Sequence, residues 1–534
     1  MFRSGSGRCG IIPGTRGSFR RERFRGANES VKSCARTVPT AVFVLCGWVC
    51  ANAQAAHVEP AVLARAQRDG SAEVLLVLPD QARPALAFIA PGADYRARRR
   101  ALVDALRSRA QTQQAALIDW LRSRDIAFRA YWISNLVWAR LSAAQIAALS
   151  ERGDLARIAA DTRLPVHLPT PGVSTASMVD DDPIAWGVEK IGAPLAWAAG
   201  FAGAGIVIGG EDTGYQWNHP ALQPHYRGWN GVSAEHAYHW HDAIHDAAPG
   251  NVCGSDSPFP CDDYGHGTHT AGTFAGGDGG SHQIGVAPAA KWIGCRNMAD
   301  GIGTPARYIE CMQWMLAPTD LSDADPEPDL APDVISNSWT CTVDEGCTAG
   351  NELEGAVDTL VAAGIFYVAA AANDGPACGT INAPPAIYDA SFVIGATDSN
   401  DAMASFSSRG PVSGTTRLRP DLSAPGVDVP SAWNDGGYRY DSGTSMATPH
   451  VAGAAALVMS ANPALKGHPD QVAQILRAAS VTAGVSDPYN SGCGGLDMTT
   501  WPNYQAGYGR LDAWTSVRAA LAAVDVIFRN GFDD

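Results

Sequence analysis

Apolar positions fall along this chain in two successive patterns. Between His57 and Leu168 a strand-like "AEVLLVLP" (Ala72 to Pro79) precedes an Arg/Ala/Leu-rich stretch from about Asp94 to Arg124 that reads as one long helix. The β-rich "FRAYWISNLVWARL" (Phe128 to Leu141), a second helix "SAAQIAALSERG" and a last strand "ARIAADTRLPVHL" complete a small α+β unit. A linker follows, "PTPGVSTASMVDDDP" (Pro169 to Pro183), with the Pro, Ser and Asp content of an exposed, cleavable segment. From Ile184 the pattern changes: "GIVIGGED", "KWIGCRN", "DVISNSW", "GIFYVAAA" and "SFVIGATD" alternate with "HGTHTAGTFAGG", "GNELEGAVDTLVAAG" and "ATPHVAGAAALVMSA". Near-continuous apolar strands between helices predict an α/β fold whose central, mostly parallel sheet is covered on both faces. Sites in such sheets form beyond the carboxyl ends of the strands, and Asp212 closes "GIVIGGED".

Composition agrees with folded domains. Of 534 residues 46% are hydrophobic and 17% charged, which excludes a disordered or coiled-coil chain, and the length calls for two or three domains. Lys32 and Arg36 precede the apolar "TVPTAVFVLCGWVC" (Thr37 to Cys50), and "ANA" (Ala51 to Ala53) has the small residues of a signal-peptidase site. Residues 31–53 therefore read as an export signal, with the mature chain starting near Gln54. The apolar run is shorter than the ~20 residues of a membrane span, which argues against a stable anchor. Residues 1–30, Arg- and Gly-rich without periodicity, fit neither signal nor domain and read as an extension ahead of a start at Val31.

Charge divides the chain. From His57 to Leu168, 16 arginines face 11 acidic residues, a net of +5, whereas from Pro169 onward 14 basic residues face 41 acidic ones, a net of −27. The two parts should attract each other, and so acidic a surface repels phosphate backbones and excludes nucleic acid as a partner. Twelve cysteines are present, four of them before residue 51. An even remainder of eight in an exported chain suggests disulfides. The short separations Cys253/Cys261 and Cys341/Cys347 read as loop staples, and Cys295/Cys311 and Cys378/Cys493 would complete the set. Sequence does not fix the pairing, and buried free thiols are the alternative.

Candidate chemistry begins with "YDSGTSMATPHVAG". Ser445 stands where an extended segment hands over to a helix, so free helix N–H groups would lie beside its oxygen. Gly443 permits close approach of a substrate, and Pro449 is expected in the first turn, where a missing donor costs least. An isolated "GTS" is more simply a helix cap. Its company changes that: "DDYGHGTHTAGT" places His266 at another helix start, and Asp212 lies at a strand end. A serine hydroxyl needs an imidazole to take its proton and a carboxylate to fix the imidazole tautomer. The order Asp, His, Ser differs from that of the α/β-hydrolases and of chymotrypsin.

The stretches "EDTG", "GHGTHTAG", "SNSW", "AAANDG", "FSSRGP", "PDLSAPG" and "GTSMATPHVAG", spanning most of Trp186 to Ala513, resemble the subtilisin (subtilase) family of serine endopeptidases, and in detail its bacillopeptidase F branch. The resemblance implies a three-layer subtilisin-like domain over residues 184–520, with Asp212, His266 and Ser445 as catalytic triad and Asn373 as oxyanion-hole donor. It departs from the family at Ala372, where Gly commonly precedes this Asn. It also implies that Asp300, Gly301, Ile302 and Gly303 on one side, and Ser338, Trp339 and Thr340 on the other, sandwich a substrate strand through main-chain hydrogen bonds, hence broad specificity. Ala371 and Asp374 join the substrate-contacting set, Asp374 at the mouth of the first specificity pocket, favouring a basic residue. Residues 57–168 resemble the branch's inhibitory propeptide, a ferredoxin-like α+β domain, with "YWISNLV" the most telling stretch; the maturation cut falls within residues 169–183. The implied protein is a secreted, self-processing monomer acting on proteins or peptides, its propeptide serving as intramolecular inhibitor.

Remaining signals are weaker. "HAYHWHDAIH" carries His236, His239, His241 and His245 but no metal-ligand spacing, and reads as a solvated insertion loop. No cofactor is needed for the chemistry. Structural calcium, common in relatives, has one candidate ligand in Asp278, and His269 reads as a helix-packing residue. Residues 521–534 form a short tail. Two rival functions are a catalytically silent binding module, against which the intact Asp212, His266, Asn373 and Ser445 argue, and an esterase or acyl transferase with the same machinery.

Overall fold

Seven strands form the central sheet of the computed structural model, which describes residues 55–79, 94–165, 183–347 and 352–530, all within one compact unit. The proposed signal, the residues before it, the linker at 169–182 and the last four residues lie outside the described residues. Before the sheet come β1 (His57–Val58), β2 (Ala72–Val77), β3 (Phe128–Tyr131), β4 (Leu136–Leu141), β5 (Arg157–Ala160) and β6 (Leu164–Pro165). The sheet itself takes β7 (Val207–Asp212), β8 (Trp240–Asp242), β9 (Lys291–Arg296), β11 (Val334–Asn337), β12 (Phe366–Ala370), β13 (Phe392–Thr397) and β14 (Leu422–Pro425), while β10 (Ile302–Gly303), β15 (Val429–Ala432) and β16 (Tyr438–Asp441) lie outside it.

The order across the central sheet is β14-β13-β12-β11-β7-β9-β8, and every neighbouring pair is parallel. Strands β11, β12 and β13 are buried at every position, so their sequences lack polar alternation. One face is covered by the helices His266–Ala275, Thr444–Ala461 and Ala513–Asn530, the other by Pro305–Leu316 and Glu352–Ala362. The Thr444–Ala461 helix is apolar nearly all round because it is buried all round. The chain leaves β7 in one direction toward β9 and returns on its other side through β11, so the crevice where strand order reverses opens at the carboxyl end of β7, at Asp212.

Residues 57–165 form a five-stranded mixed sheet, order β1-β5-β2-β4-β3. Strands β2 to β5 with their helices follow a β-α-β-β-α-β course, the ferredoxin-like arrangement, and β1 is added at one edge. Alternation along β2 explains why its "VLLV" (Val74 to Val77) is apolar throughout. Val74 and Leu76 meet this region's own helices, while Leu75 and Val77 share a hydrophobic cluster with Ile309, Met312 and Trp314 of the main domain. The expected single helix from Asp94 to Arg124 is two, Tyr95–Gln113 and Ala115–Arg122. At the junction the buried Gln114 amide donates to Tyr131 O at 3.1 Å, a tertiary contact with no periodic signature. The expected last strand is likewise split, and β6 leaves its own sheet to pair antiparallel with β10.

Polar anchors join this region to the main domain. Arg99 is buried and donates to Ala363 O at 3.1 Å and Pro328 O at 3.3 Å; Tyr131 donates to Glu310 Oε2 at 2.8 Å. The Gln313 amide oxygen accepts from Trp132 N at 2.6 Å and Ile133 N at 3.2 Å, so the "YWISNLV" turn lies on this contact. Asp161 accepts from Ala306 N at 2.9 Å, at the N-terminus of the Pro305–Leu316 helix.

The cysteines pair as Cys253–Cys261, Cys295–Cys311, Cys341–Cys347 and Cys378–Cys493, with Cα separations of 5.5 to 5.7 Å. The His-rich stretch departs from a solvated loop: Trp240 to Asp242 is an edge strand, and His241 and His245 are largely buried, both facing Glu310 Oε1, at 3.0 and 2.8 Å. Among the described residues no helix is long and apolar enough to cross a membrane.

Candidate active site

Three element ends meet at the crevice. Asp212 is the last residue of β7, His266 the first of the His266–Ala275 helix, and Ser445 the second of the Thr444–Ala461 helix. Asp212 Oδ1 and His266 Nδ1 lie 2.7 Å apart, both side chains buried, and Oδ1 also accepts from Thr213 N at 2.7 Å. Nδ1 therefore carries the proton, which leaves Nε2 as the basic nitrogen. That Nε2 is buried without a hydrogen-bond partner. Ser445 Oγ donates instead to Ser338 O at 2.8 Å, so Asp212 and His266 are joined by a hydrogen bond in which Ser445 takes no part.

Burial opposes a charge on His266, yet the carboxylate of Asp212 outweighs it and raises the imidazole above its ordinary value. Asp441, buried at the end of β16, adds to this, and burial pushes its own pKa up to about 6. His269, buried on the same helix as His266, donates through Nε2–H to Val429 O, 3.0 Å away, and burial lowers its pKa to about 3. It is neutral and packed, as expected.

A carboxylate that sequence reading passed over holds the histidine helix. Asp262 accepts from Tyr264 N, Gly265 N, Thr268 N and the hydroxyls of Thr213 and Thr268. Thr213 Oγ1 in turn accepts from Gly267 N at 3.0 Å. Gly267 must be glycine, because a Cβ there would lie 2.2 Å from Gly214 O. The doubled acid in "DDYGHGT" was the available signal.

Pro449 is not in the first turn. It is the sixth residue of its helix, where a proline deprives the carbonyl four residues earlier of its donor. That carbonyl belongs to Ser445, and Ser338 Oγ donates to it at 2.9 Å. A side chain beside the crevice thus replaces the helix bond, and the proline costs less than its position alone suggests.

Asn373 follows β12, and its orientation is fixed. Thr444 N and Thr444 Oγ1 both donate to Oδ1, at 2.9 and 3.0 Å. Only the oxygen can accept from a backbone N–H, so the amide NH2 points away from Thr444 as a free donor. Ala372 before it has φ +81°, a left-handed backbone that favours glycine. Ala372 therefore carries backbone strain that a glycine at this position would not.

Of the two segments expected to sandwich a substrate strand, the first is a turn that runs into a short strand and the second follows a strand of the central sheet. Ile302 and Gly303 form β10 and pair with Pro165 and Leu164; Asp300 and Gly301 make the preceding turn with φ of +50° and +71°. Opposite, Ser338, Trp339 and Thr340 follow β11. The Trp339 indole is buried, stacked on Tyr308 at 3.9 Å, so this residue can offer a substrate only its backbone. Ala371 is fully buried and Asp374 exposed. Asp278, the calcium candidate, has both oxygens occupied within its own loop by Gly280 N, His282 N and His282 Nδ1. Among the described residues no group of three or more His, Cys, Asp or Glu side chains is disposed to hold a metal.

Comparison with known proteins gives the same picture. Residues 203–504 match the model described as the subtilase family, peptidase S8. The chain is 39% identical over 351 residues to bacillopeptidase F of Bacillus subtilis (strain 168), covering 63% of this chain but only 22% of that protein. It is 32% identical over 322 residues to subtilisin Savinase of Lederbergia lenta, covering 59% of this chain and 98% of the relative. Identity to subtilisin DY of Bacillus licheniformis is 33% over 312 residues, 58% of this chain and 96% of the relative.

Proposed function

Since the chain belongs to the subtilase family and is a subtilisin-like serine endopeptidase, we propose that Asp212, His266, Ser445 and Asn373 carry its chemistry. Ser445 Oγ swings from Ser338 O to His266 Nε2, gives up its proton there and attacks the carbonyl carbon of a peptide bond. The carbonyl oxygen gains the negative charge and is met by the Asn373 NH2 and the Ser445 backbone N–H. Imidazolium, held by Asp212, then protonates the departing amine; water deacylates the serine by the reverse exchange of protons. The observation that carries this reading is the buried 2.7 Å Asp212–His266 pair combined with an Asn373 amide locked by Thr444.

The protein is further proposed to be exported through residues 31–53, to carry an inhibitory propeptide at 57–168, and to mature itself within 169–183. The pairing of Leu164–Pro165 with Ile302–Gly303 supports this: a strand of the N-terminal region lies on a rim where a substrate strand would be read by its backbone. The opposite charges of the two parts favour the same docking. Catalytic residues 184–520 would act as a monomer on proteins and peptides, with Asp374 favouring a basic side chain in the first specificity pocket.

Expression of the precursor and of Ser445→Ala tests the assignment. The parent matures and digests a denatured protein; Ser445→Ala stays at precursor length and digests nothing. A mutant that processes and hydrolyses like the parent overturns it. Asn373→Ala is expected to keep the fold and lose about 10²–10³ in rate, the loss established for the equivalent donor in subtilisin itself.

A further inference from the structure

Glu211 immediately precedes Asp212 on β7, is fully buried, and has no part in the reaction as described. Its surroundings assign its proton. Tyr367 Oη on β12 lies 2.7 Å from Asn337 Oδ1 and 3.2 Å from Glu211 Oε1. Asn337 Nδ2 donates to Trp339 O at 3.0 Å, which fixes Asn337 Oδ1 as an acceptor. A tyrosine hydroxyl has one proton, and the shorter contact takes it. Toward Glu211, therefore, Tyr367 offers a lone pair, and the 3.2 Å approach is attractive only if Glu211 is the donor.

We propose that Glu211 is a positioning residue that works as a neutral carboxylic acid, donating to Tyr367 and so bracing the Ser338–Thr340 rim against the Asp212 strand. The chain of bonds runs from the Glu211 carboxyl to Tyr367, to Asn337, to the Trp339 carbonyl, and the Trp339 indole closes it by donating to Glu211 O at 2.9 Å. It ties the residue that orients His266 to the backbone that reads substrate. The titratable groups facing Glu211 are Asp212 on its own strand, Tyr367 from β12 and Tyr215 from the loop after β7. None of them is a cation, so no charge partner favours the anion. Burial, with the nearby Asp212 adding to it, pushes the Glu211 carboxyl up to about 8. Tyr367 would oppose that shift only as a donor, and its proton is committed to Asn337.

Ionisation of Glu211 would place a second negative charge next to Asp212 and set two lone pairs against each other at Tyr367. The inference rests on the triad assignment for its kinetic readout, and its spectroscopic readout is independent of it. The experiment compares kcat/KM against pH for the parent and Glu211→Gln, whose side-chain N–H can replace the donated proton. The parent is expected to decline with a midpoint near pH 8, and Glu211→Gln to lose that decline while keeping the same acid limb. An unchanged alkaline decline in Glu211→Gln, or an acid limb displaced downward because a charge beside Asp212 had been removed, overturns the proposal. Infrared difference spectra of Ser445→Ala, with and without Glu211→Gln, form the second measurement. A protonated-carboxyl C=O band at pH 7 that vanishes with Glu211→Gln supports the proposal, and its absence at pH 7 refutes it whether or not the protein cleaves peptides.

Discussion

Removing the Ser338 hydroxyl should expose the hidden cost of Pro449. In Ser338→Ala the Ser445 carbonyl loses its 2.9 Å donor, and Pro449 has no N–H to replace it. A buried carbonyl left unpaired costs about 1–3 kcal/mol. In a Pro449→Ala background an N–H is restored four residues on, the carbonyl regains a helical partner, and Ser338→Ala should cost only the ~0.5–1.5 kcal/mol of an ordinary hydrogen bond, or less. The two substitutions should therefore couple by about 1–2 kcal/mol, within the range of residues sharing one hydrogen-bond network. All four variants would be built on Ser445→Ala, which prevents self-digestion and leaves the carbonyl untouched. Urea unfolding then gives the cycle, provided the slope is common to all four. Additive effects would refute the account of how this helix tolerates its proline. So would a Ser338→Ala variant as stable as its parent.

Three other outcomes are expected. Ala372→Gly should stabilise the fold by about 0.5–1 kcal/mol, because relief of a left-handed Ala outweighs the entropy of Gly; a lower urea midpoint contradicts this. Asp441→Asn removes a carboxylate that raises His266, so the acid limb of kcat/KM should move down, and a limb that stays or rises would show that Asp441 does not act on His266. His245 works in the opposite sense to a buried acid: hydrogen bonds to Glu310 and Asp256 outweigh burial and raise it to about 9. Its contribution to stability is complete below its unfolded pKa of ~6.5 and lost as pH rises through about 9. The unfolding midpoint of Ser445→Ala should fall across that window, and that of the additional His245→Asn variant should fall less, the remainder coming from Glu211 and the raised His241 and His266.

Strand ends, the parallel sheet and the places of the candidate residues at element ends were legible because each has a local cause. A strand buried on both faces must be apolar throughout, and Asp212, His266, Asn373 and Ser445 sit where elements begin or end. What sequence did not disclose depends on contacts between distant segments. Pro449 is tolerated in a second turn only because Ser338, more than a hundred residues earlier, supplies a donor. The helix after Asp94 is interrupted where Gln114 meets Tyr131, and β8 hides in a His-rich stretch whose polarity serves Glu310 and the N-terminal region. Strand β14 was missed because Pro420 and Pro425 mark its short sequence as a turn, while the pairing with β13 makes it the sheet's edge.

The four cystine links have a consequence for a protease surrounded by copies of itself. A single cut between Cys253 and Cys261, Cys295 and Cys311, or Cys341 and Cys347 leaves the chain in one covalent piece. The Cys378–Cys493 link extends that protection over 115 positions, including the segment that bears Ser445. Segments inside these links can be nicked without shedding fragments, so accidental damage there yields a scarred molecule that still holds its parts together.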